Sequence, residues 1–446
     1  MTTARPSRRP PSRSAQPGLA TRAAAAALLS EVLVRHRLLD EAFESDPDVA
    51  ALAGRDRAFV RLLTATTLRH LGRIDDLLDR CLERPLPPAA ARIRTLLRLG
   101  VCQLVFLDTP PHAAISTAVD LVKHGPLAGY GGLINAVLRR IDRDGRDWAA
   151  AQDGVRLDIP DWLWQSWVSA YGEDLARKIA EAGGNEAPTD ITVANDPAVW
   201  AEALEAEILP TGTLRRRQPG DVSALPGFQD GAWWVQDAAA ALPARLLGPV
   251  AGRAVADLCA APGGKTLQLA AAGARVTALD RSAARLGRLE DNLRRTGLAA
   301  RLVTADAVQW RPEELFDAVL VDAPCTATGT LRRHPDGLHL KQPGDVARLT
   351  GLQTRLLRAA ADMVAPDGCL VYCVCSLQPE EGIDIVRAFL AERPDFVRRP
   401  VAPAEVGGLA ELVTPDGDLR TLPCHLGPLG GMDAFFAARL ERKKDS

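Results

Sequence analysis

Two segments of the chain hold residues whose types and spacing suit covalent catalysis. Val321-Asp-Ala-Pro-Cys-Thr-Ala-Thr-Gly329 and Val371-Tyr-Cys-Val-Cys-Ser-Leu-Gln-Pro-Glu-Glu-Gly382 each follow or end an apolar run that reads as a strand. Together they set Cys325, Cys375 and Asp322 at one edge of a sheet. Such an inventory fits a reaction at cytosine C5, which is a poor nucleophile. A thiolate that adds to C6 creates an enamine whose C5 attacks a sulfonium methyl, and a base then removes the C5 proton so that the thiol leaves. Hydrogen bonding or protonation at N3 assists the addition, a task for an acid with a raised pKa.

Each thiol also has a plainer reading, as a small buried hydrophobe, and Cys81, Cys102 and Cys369 are read that way. Cys373 and Cys375 alternate onto one face of a strand, with Cys375 at its exposed end before Ser376. Cys369, Cys373 and Cys375 lack paired C-x-x-C spacing and the seven histidines form no ligand pattern, so no metal is expected.

Asp257-Leu-Cys-Ala-Ala-Pro-Gly-Gly-Lys-Thr266 follows another apolar strand and opens a helix. Gly263 and Gly264 are expected to let the backbone approach a ligand, and the helix start offers free N–H groups. A phosphate-binding loop requires Gly where Cys259 stands, and the G-x-G-x-x-G pattern is absent. The next strand ends at Asp280, where a carboxylate can accept both ribose hydroxyls of a nucleoside cofactor. The third ends in Thr304-Ala-Asp306, a second carboxylate placed for an adenine amino group. A lone Asp at a strand end is usually a cap; several in register after successive strands are not so easily explained.

These residues need a scaffold, and strand–helix alternation from about residue 250 predicts one. Ala254–Leu258, Arg275–Asp280, Ala300–Thr304, Ala318–Val321 and Cys369–Cys375 read as strands separated by helices, the pattern of a doubly wound, mainly parallel α/β sheet. Ligands bind such sheets beyond the strand carboxyl ends. Residues 20–145 read as an all-α domain of five to seven helices, with Ala20–His36, Arg55–Leu71 and Ala89–Phe106 as its clearest members. Residues 146–245 hold seven of the eight tryptophans and read as a small α+β connecting region whose rings mostly pack. The expected domains are therefore a basic tail over 1–19, the helical domain over 20–145, the connecting region over 146–245 and the α/β domain over 246–442.

At 446 residues the chain is long enough for two or three domains, and its apolar content of 47% supplies their cores. No apolar stretch has the length of a membrane span. Met1–Pro17 lacks the apolar core of a secretory signal and reads as a solvated basic tail, a transit peptide being the alternative. The cytoplasm is the expected compartment and a monomer the expected state. Residues 1–150 carry 22 Lys/Arg against 16 Asp/Glu while the remainder carries 32 against 40. A basic front on an acidic body suits a polyanion, as does scattered solvated charge. Arg332-Arg333-His334 adds cations near the Pro-Cys segment for phosphate contact.

The runs DLCAAPGGKT, DAPCTATGTLRRHPD and CSLQPEEG resemble the bacterial Sun/Fmu (RsmB) branch of 16S ribosomal RNA cytosine-5 methyltransferases, in the NOL1/NOP2/NSUN superfamily. RDRAFVRLLTATTLRH (55–70) and INAVLRR (134–140) look like the NusB-like RNA-binding domain of that branch. IPDWLWQSWVSAYGEDLA (159–176), WVQDAAA (234–240) and GMDAFFAARL (431–440) look like its connecting and closing segments. The resemblance implies a Rossmann-like methyltransferase domain that uses S-adenosyl-L-methionine and acts on one cytosine of small-subunit ribosomal RNA. It implies Cys375 as the nucleophile, Cys325 as the thiol that assists release, and Asp322 as a contact to the base and the cofactor end. It implies cofactor contacts from Cys259, Ala260, Ala261, Pro262, Gly263, Gly264, Lys265, Asp280 and Asp306. Thr326, Ala327 and Ala434 depart from the branch's usual Ser, Gly and Gly. Transfer RNA as substrate and a non-catalytic role in assembly are the competing readings. The helical front disfavours the first, and the retained Cys375 and Gly263-Gly264 disfavour the second.

Overall fold

Helices Leu19–Leu33, Gly54–Arg69, Leu71–Asp79, Ala91–Val101, Pro111–Asp120 and Gly131–Ala150 carry buried residues at helical spacing. Leu28, Leu29, Val32, Leu63, Leu97, Ile134 and Leu138 meet in one core from which water is excluded. Pro111 stands at the first helical position, where its missing N–H costs nothing. In this computed structural model, which describes residues 18–218 and 220–444, the chain divides into two units. The helical unit takes in the chain through Pro160 together with His334–Leu340, and the second unit holds Asp161–Arg333 and everything from Lys341 on.

The helical unit departs from the expected division in two ways. The expected end at 145 falls inside helix Gly131–Ala150, because Ile141, Gly145 and Ala149 continue its buried face. The other is the capture of His334–Leu340: Leu39 N–H donates to Asp336, and the His339 ring nitrogen lies 2.7 Å from the Leu68 carbonyl. Burial lowers the His339 pKa, although that carbonyl opposes the shift. The tail expected over 1–19 lies outside the described residues apart from Gly18 and Leu19. So do Arg5, Arg8, Arg9 and Arg13, four of the basic residues behind the positive count of the front. Among the described ones, Arg94 and Arg98 pair with Asp75 and Arg80 pairs with Asp76.

The second unit contains two sheets. The smaller is antiparallel and joins β1 (Thr189–Val193), β2 (Glu207–Ile208), β3 (Leu214–Arg216) and β4 (Trp233–Val235) in the order β2-β3-β1-β4. It lies in the segment read as the α+β connection. Trp167, Trp233 and Trp234 are buried, so these rings pack.

The larger sheet begins with β5 (Ala254–Leu258), β6 (Arg275–Asp280), β7 (Arg301–Thr304), β8 (Phe316–Asp322) and β9 (Val364–Val374). It is completed by β10 (Phe396–Arg398), β11 (Leu419–Arg420) and β12 (Phe436–Arg442). Its order is β10-β12-β9-β8-β5-β6-β7, parallel from β9 to β7 and antiparallel where β12 joins β9. Alternate residues of each strand serve opposite faces. Val255, Ala318, Leu320 and Val371 pack with Leu267 and Leu289, while Ala256, Val319, Val321 and Tyr372 pack with Leu357 and Val386. Helices on both faces make this the doubly wound, Rossmann-like α/β fold. Strand order reverses between β5 and β8, and the crevice at their carboxyl ends is where such sheets bind ligands.

Candidate functional site

The motif segments converge at that reversal. Asp257 is the penultimate residue of β5 and has no exposure, and the Thr266 hydroxyl donates to its carboxyl at 2.6 Å, closing the loop between them. Burial pushes the Asp257 carboxyl up to about 7 against the opposing effects of Thr266 and Lys265. Cys259 adopts a left-handed backbone with φ 61°. Burial, then Asp322, Asp280 and Asp257, push its thiol up to about 12, so it stays protonated.

Gly263 adopts φ 113°, and a Cβ there would come within 2.2 Å of Leu289 Cδ1. The positive φ is what favours glycine here, since the nearest atom is the tip of a flexible leucine on helix Ala283–Thr296.

The carboxylates differ in availability. Asp280 is buried, accepts from the Ser282 N–H at 2.9 Å and the Ala261 N–H at 3.3 Å, and meets Arg285 at 3.2 Å. Asp306 is exposed and accepts from the Val308 N–H at 2.9 Å, a local turn that leaves its second oxygen to solvent. Asp322 ends β8. One oxygen pairs with Lys265 Nζ at 2.8 Å, and the other accepts from the Cys373 thiol at 3.6 Å. Lys265 is thus directed at Asp322, with its ammonium 4.8 Å from the centre of the Phe435 ring. Burial works against its charge, but Asp322, Cys373 and Asp257 together raise its pKa.

The two thiols proposed for chemistry come together. Cys325 Sγ lies 3.4 Å from Cys375 Sγ. The hydrogen bond to Cys375 and burial raise the Cys325 pKa well above the ordinary thiol range. Cys373 shares the face of Cys375 but is fully buried, and burial raises its thiol pKa too.

Three residues hold the loop after β8. The Gly329 N–H donates to the Cys375 carbonyl at 3.0 Å, and the Ala434 N–H donates to the Gly329 carbonyl at 2.9 Å. A Cβ on Gly329 would lie 2.2 Å from the Ala434 carbonyl, so backbone approaches backbone here. Ala327, where the resembling branch has Gly, sits at φ 56°, a left-handed conformation that costs an alanine about 1 kcal/mol or more.

Arg332 and Arg333 are not free for phosphate. Arg332 is 2% exposed and donates to the Gly430 carbonyl. Arg333 pairs with Asp237 at 2.7 Å and Asp433 at 3.2 Å, and donates to the Pro188 carbonyl at 3.1 Å. Beside it Arg215 grips Asp190 with two bonds of 2.7 Å. Three separate motifs supply these carboxylates, so this buried network joins the loop to the small sheet and the closing segment. The sequence reading missed Asp190, Asp237 and Asp433. Their only signal was a lone acid inside otherwise apolar strings such as WVQDAAA and GMDAFF.

A family model described as 16S rRNA methyltransferase RsmB/F matches residues 244–441, and one described as NusB family matches residues 19–143. A protein named ribosomal RNA small subunit methyltransferase B from Sodalis glossinidius (strain morsitans) is 36% identical over 383 residues, covering 81% of this chain and 88% of its own. Its namesake from Vibrio cholerae serotype O1 is 36% identical over 404 residues, 86% of this chain and 92% of its own. Among solved structures, one described as PH0851 superposes with a TM-score of 0.74 at 25% identity, covering 96% of this chain and 100% of that one. A methyltransferase homolog protein from Pyrococcus horikoshii superposes with a TM-score of 0.54 at 26% identity, over 65% of this chain and 97% of that one.

Proposed function

The chain belongs to the ribosomal RNA small subunit methyltransferase B family, and we propose that it methylates C5 of one cytosine in 16S ribosomal RNA through a covalent bond from Cys375 to C6. The observation that carries this reading is the 3.4 Å approach of the Cys325 and Cys375 thiols at the carboxyl ends of adjacent parallel strands. S-adenosyl-L-methionine, when bound, supplies the electrophilic methyl. The donor set suits it. Asp280 offers an acceptor for ribose hydroxyls, Asp306 an exposed carboxylate for an amino group, and Asp322 a negative charge for a cationic ligand. The turn from Cys259 through Ala260, Ala261, Pro262, Gly263 and Gly264 borders the same crevice.

The Cys375 thiolate adds to C6, and electron density moves to C5, which takes the methyl. Asp322, steadied by Lys265 and Cys373, contacts the target base. The C5 proton then leaves to a base as the C6–S bond breaks. Cys325, kept protonated, hydrogen-bonds the sulfur of Cys375 as it departs. The enzyme is restored with the thiolate free for another cycle. Small-subunit ribosomal RNA is the partner and the cytoplasm the setting.

Bisulfite sequencing of 16S ribosomal RNA from a strain lacking this protein tests the proposal. One 5-methylcytosine should disappear, returning with the wild-type chain and not with Cys375→Ala. Retention of every methylated cytosine in the deletion strain would overturn it.

A further inference from the structure

Glu381 has no exposure at all, yet its carboxylate lies within hydrogen-bond distance of four donors. One oxygen accepts from the Thr326 N–H at 2.9 Å and from the Gln353 side-chain amide at 3.1 Å. The other accepts from the Thr326 and Ser376 hydroxyls, each at 2.5 Å. A carboxylate is the side chain that offers so many acceptor sites with no donor of its own. Thr326 directly follows Cys325, and Ser376 directly follows Cys375. One buried group therefore holds the residue after each thiol. Gln353 extends the hold by donating to the Pro324 carbonyl at 2.9 Å, on the other side of Cys325. The Tyr372 hydroxyl fixes the staple itself by donating to the Glu381 carbonyl at 2.7 Å.

We infer that Glu381 is a positioning residue that sets the separation of the Cys325 and Cys375 thiols. The inference rests on the covalent reading of those thiols, but the geometry it concerns is measurable without turnover. Nothing else among the described contacts ties the residues after both cysteines to a single charged group. The loops after β8 and β9 are also bonded to each other, Gly329 N–H to the Cys375 carbonyl and Leu377 N–H to the Thr328 hydroxyl, each at 3.0 Å. Glu381 adds one buried group that holds the residue next to each thiol, with the sulfurs 3.4 Å apart. Among the described hydrogen bonds of Glu381 none goes to either sulfur. It acts through Thr326 and Ser376.

The test uses Glu381→Ala and Glu381→Gln in the full chain, with thermal unfolding and S-adenosyl-L-methionine affinity as controls. Two readouts separate positioning from mere stability. The first is the rate at which a diazene oxidant, itself reduced to a hydrazine, joins Cys325 and Cys375 as a disulfide, followed by peptide mapping. The second is the split between kcat and KM on 16S ribosomal RNA. With Glu381→Ala the disulfide should form about tenfold more slowly and kcat should fall about 100-fold at near-constant KM, the cost of displacing reacting groups by about an ångström. Glu381→Gln should recover most of both, since its amide oxygen keeps the two N–H donors and the hydroxyls can turn to accept from its nitrogen. If Glu381→Ala fails to fold, Ser376→Ala, which removes one strand of the staple, should show the same two effects at smaller size. A folded Glu381→Ala protein with wild-type disulfide rate and wild-type kcat would overturn the inference. Wild-type turnover by Cys375→Ala would instead sink the covalent reading, leaving the disulfide rate to decide on Glu381.

Discussion

Cys325 and Cys375 are fifty positions apart in sequence, and their sulfurs approach to 3.4 Å. The distance follows from topology. β8 and β9 are parallel neighbours, so their carboxyl ends and the loops that follow are side by side. The hydrogen bond to Cys375 and burial hold the Cys325 thiol well above the ordinary thiol range, so it stays protonated.

The two proposed roles predict different mutant phenotypes. Cys375→Ala should abolish turnover and form no adduct with RNA. Cys325→Ala should attack and methylate but stall at elimination, leaving RNA attached through Cys375 in a complex that survives denaturing electrophoresis. The double variant should lose that complex. A trapped adduct with Cys375→Ala and none with Cys325→Ala would exchange the two roles.

For the cofactor, Asp280→Asn is the informative change, since the amide oxygen still caps the Ser282 N–H while the charge is lost. S-adenosyl-L-methionine affinity should fall by about 1.5–3 kcal/mol, the worth of hydrogen bonds to a charged group. Arg285→Ala should tighten binding, because its guanidinium, half exposed, occupies the same carboxylate. Calorimetry that finds both variants at wild-type affinity would remove Asp280 from the site.

Arg333 should behave as a structural ion. Its removal takes one ion-pair partner from the buried Asp237 and Asp433, a change worth up to about 3–5 kcal/mol of stability. Arg333→Ala should therefore lower the unfolding midpoint in calorimetry. A stable Arg333→Ala protein whose RNA binding has lost part of its salt dependence would restore the phosphate-contact reading.

The strands of the large sheet were legible because apolar runs end in Gly, Pro and Asp, signals that lie within a few residues of one another. The placing of Asp322, Cys325 and Cys375 at or just beyond the ends of β8 and β9 was legible for the same reason. Arg332 and Arg333 were misread because their partners lie far along the chain. Pro188 is 145 positions before Arg333 and Asp237 is 96 before it, and only the closed tertiary network shows that the arginines are committed. Glu381 passed unnoticed because an acid in Pro-Glu-Glu resembles an ordinary helix start, and its four donors come from three separate elements. The capture of His334–Leu340 by the helical unit was likewise invisible, since nothing local in His-Pro-Asp-Gly-Leu-His-Leu points to Leu39 or Leu68.

Asp257 makes stability depend on pH in a direction opposite to most acids. Its carboxyl titrates near 7 in the folded chain against 3.8 ordinarily, chiefly through burial. Below about pH 4 both folded and unfolded chains hold the proton, and the group has no net effect on folding. As pH rises from about 4 to about 7 the unfolded chain ionises while the folded chain does not, so stability falls across that window and levels off above it. Asp257→Asn keeps an oxygen to accept the Thr266 hydroxyl and cannot ionise in either state. The unfolding midpoint of Asp257→Asn, measured against wild type by calorimetry at constant ionic strength, should therefore gain steadily from pH 4 to 7 and then run parallel. The gain should amount to a few kcal/mol, since each pKa unit corresponds to about 1.4 kcal/mol. Curves that stay parallel from pH 4 upward would mean that Asp257 ionises normally in the folded protein and that the loop closed by Thr266 admits water.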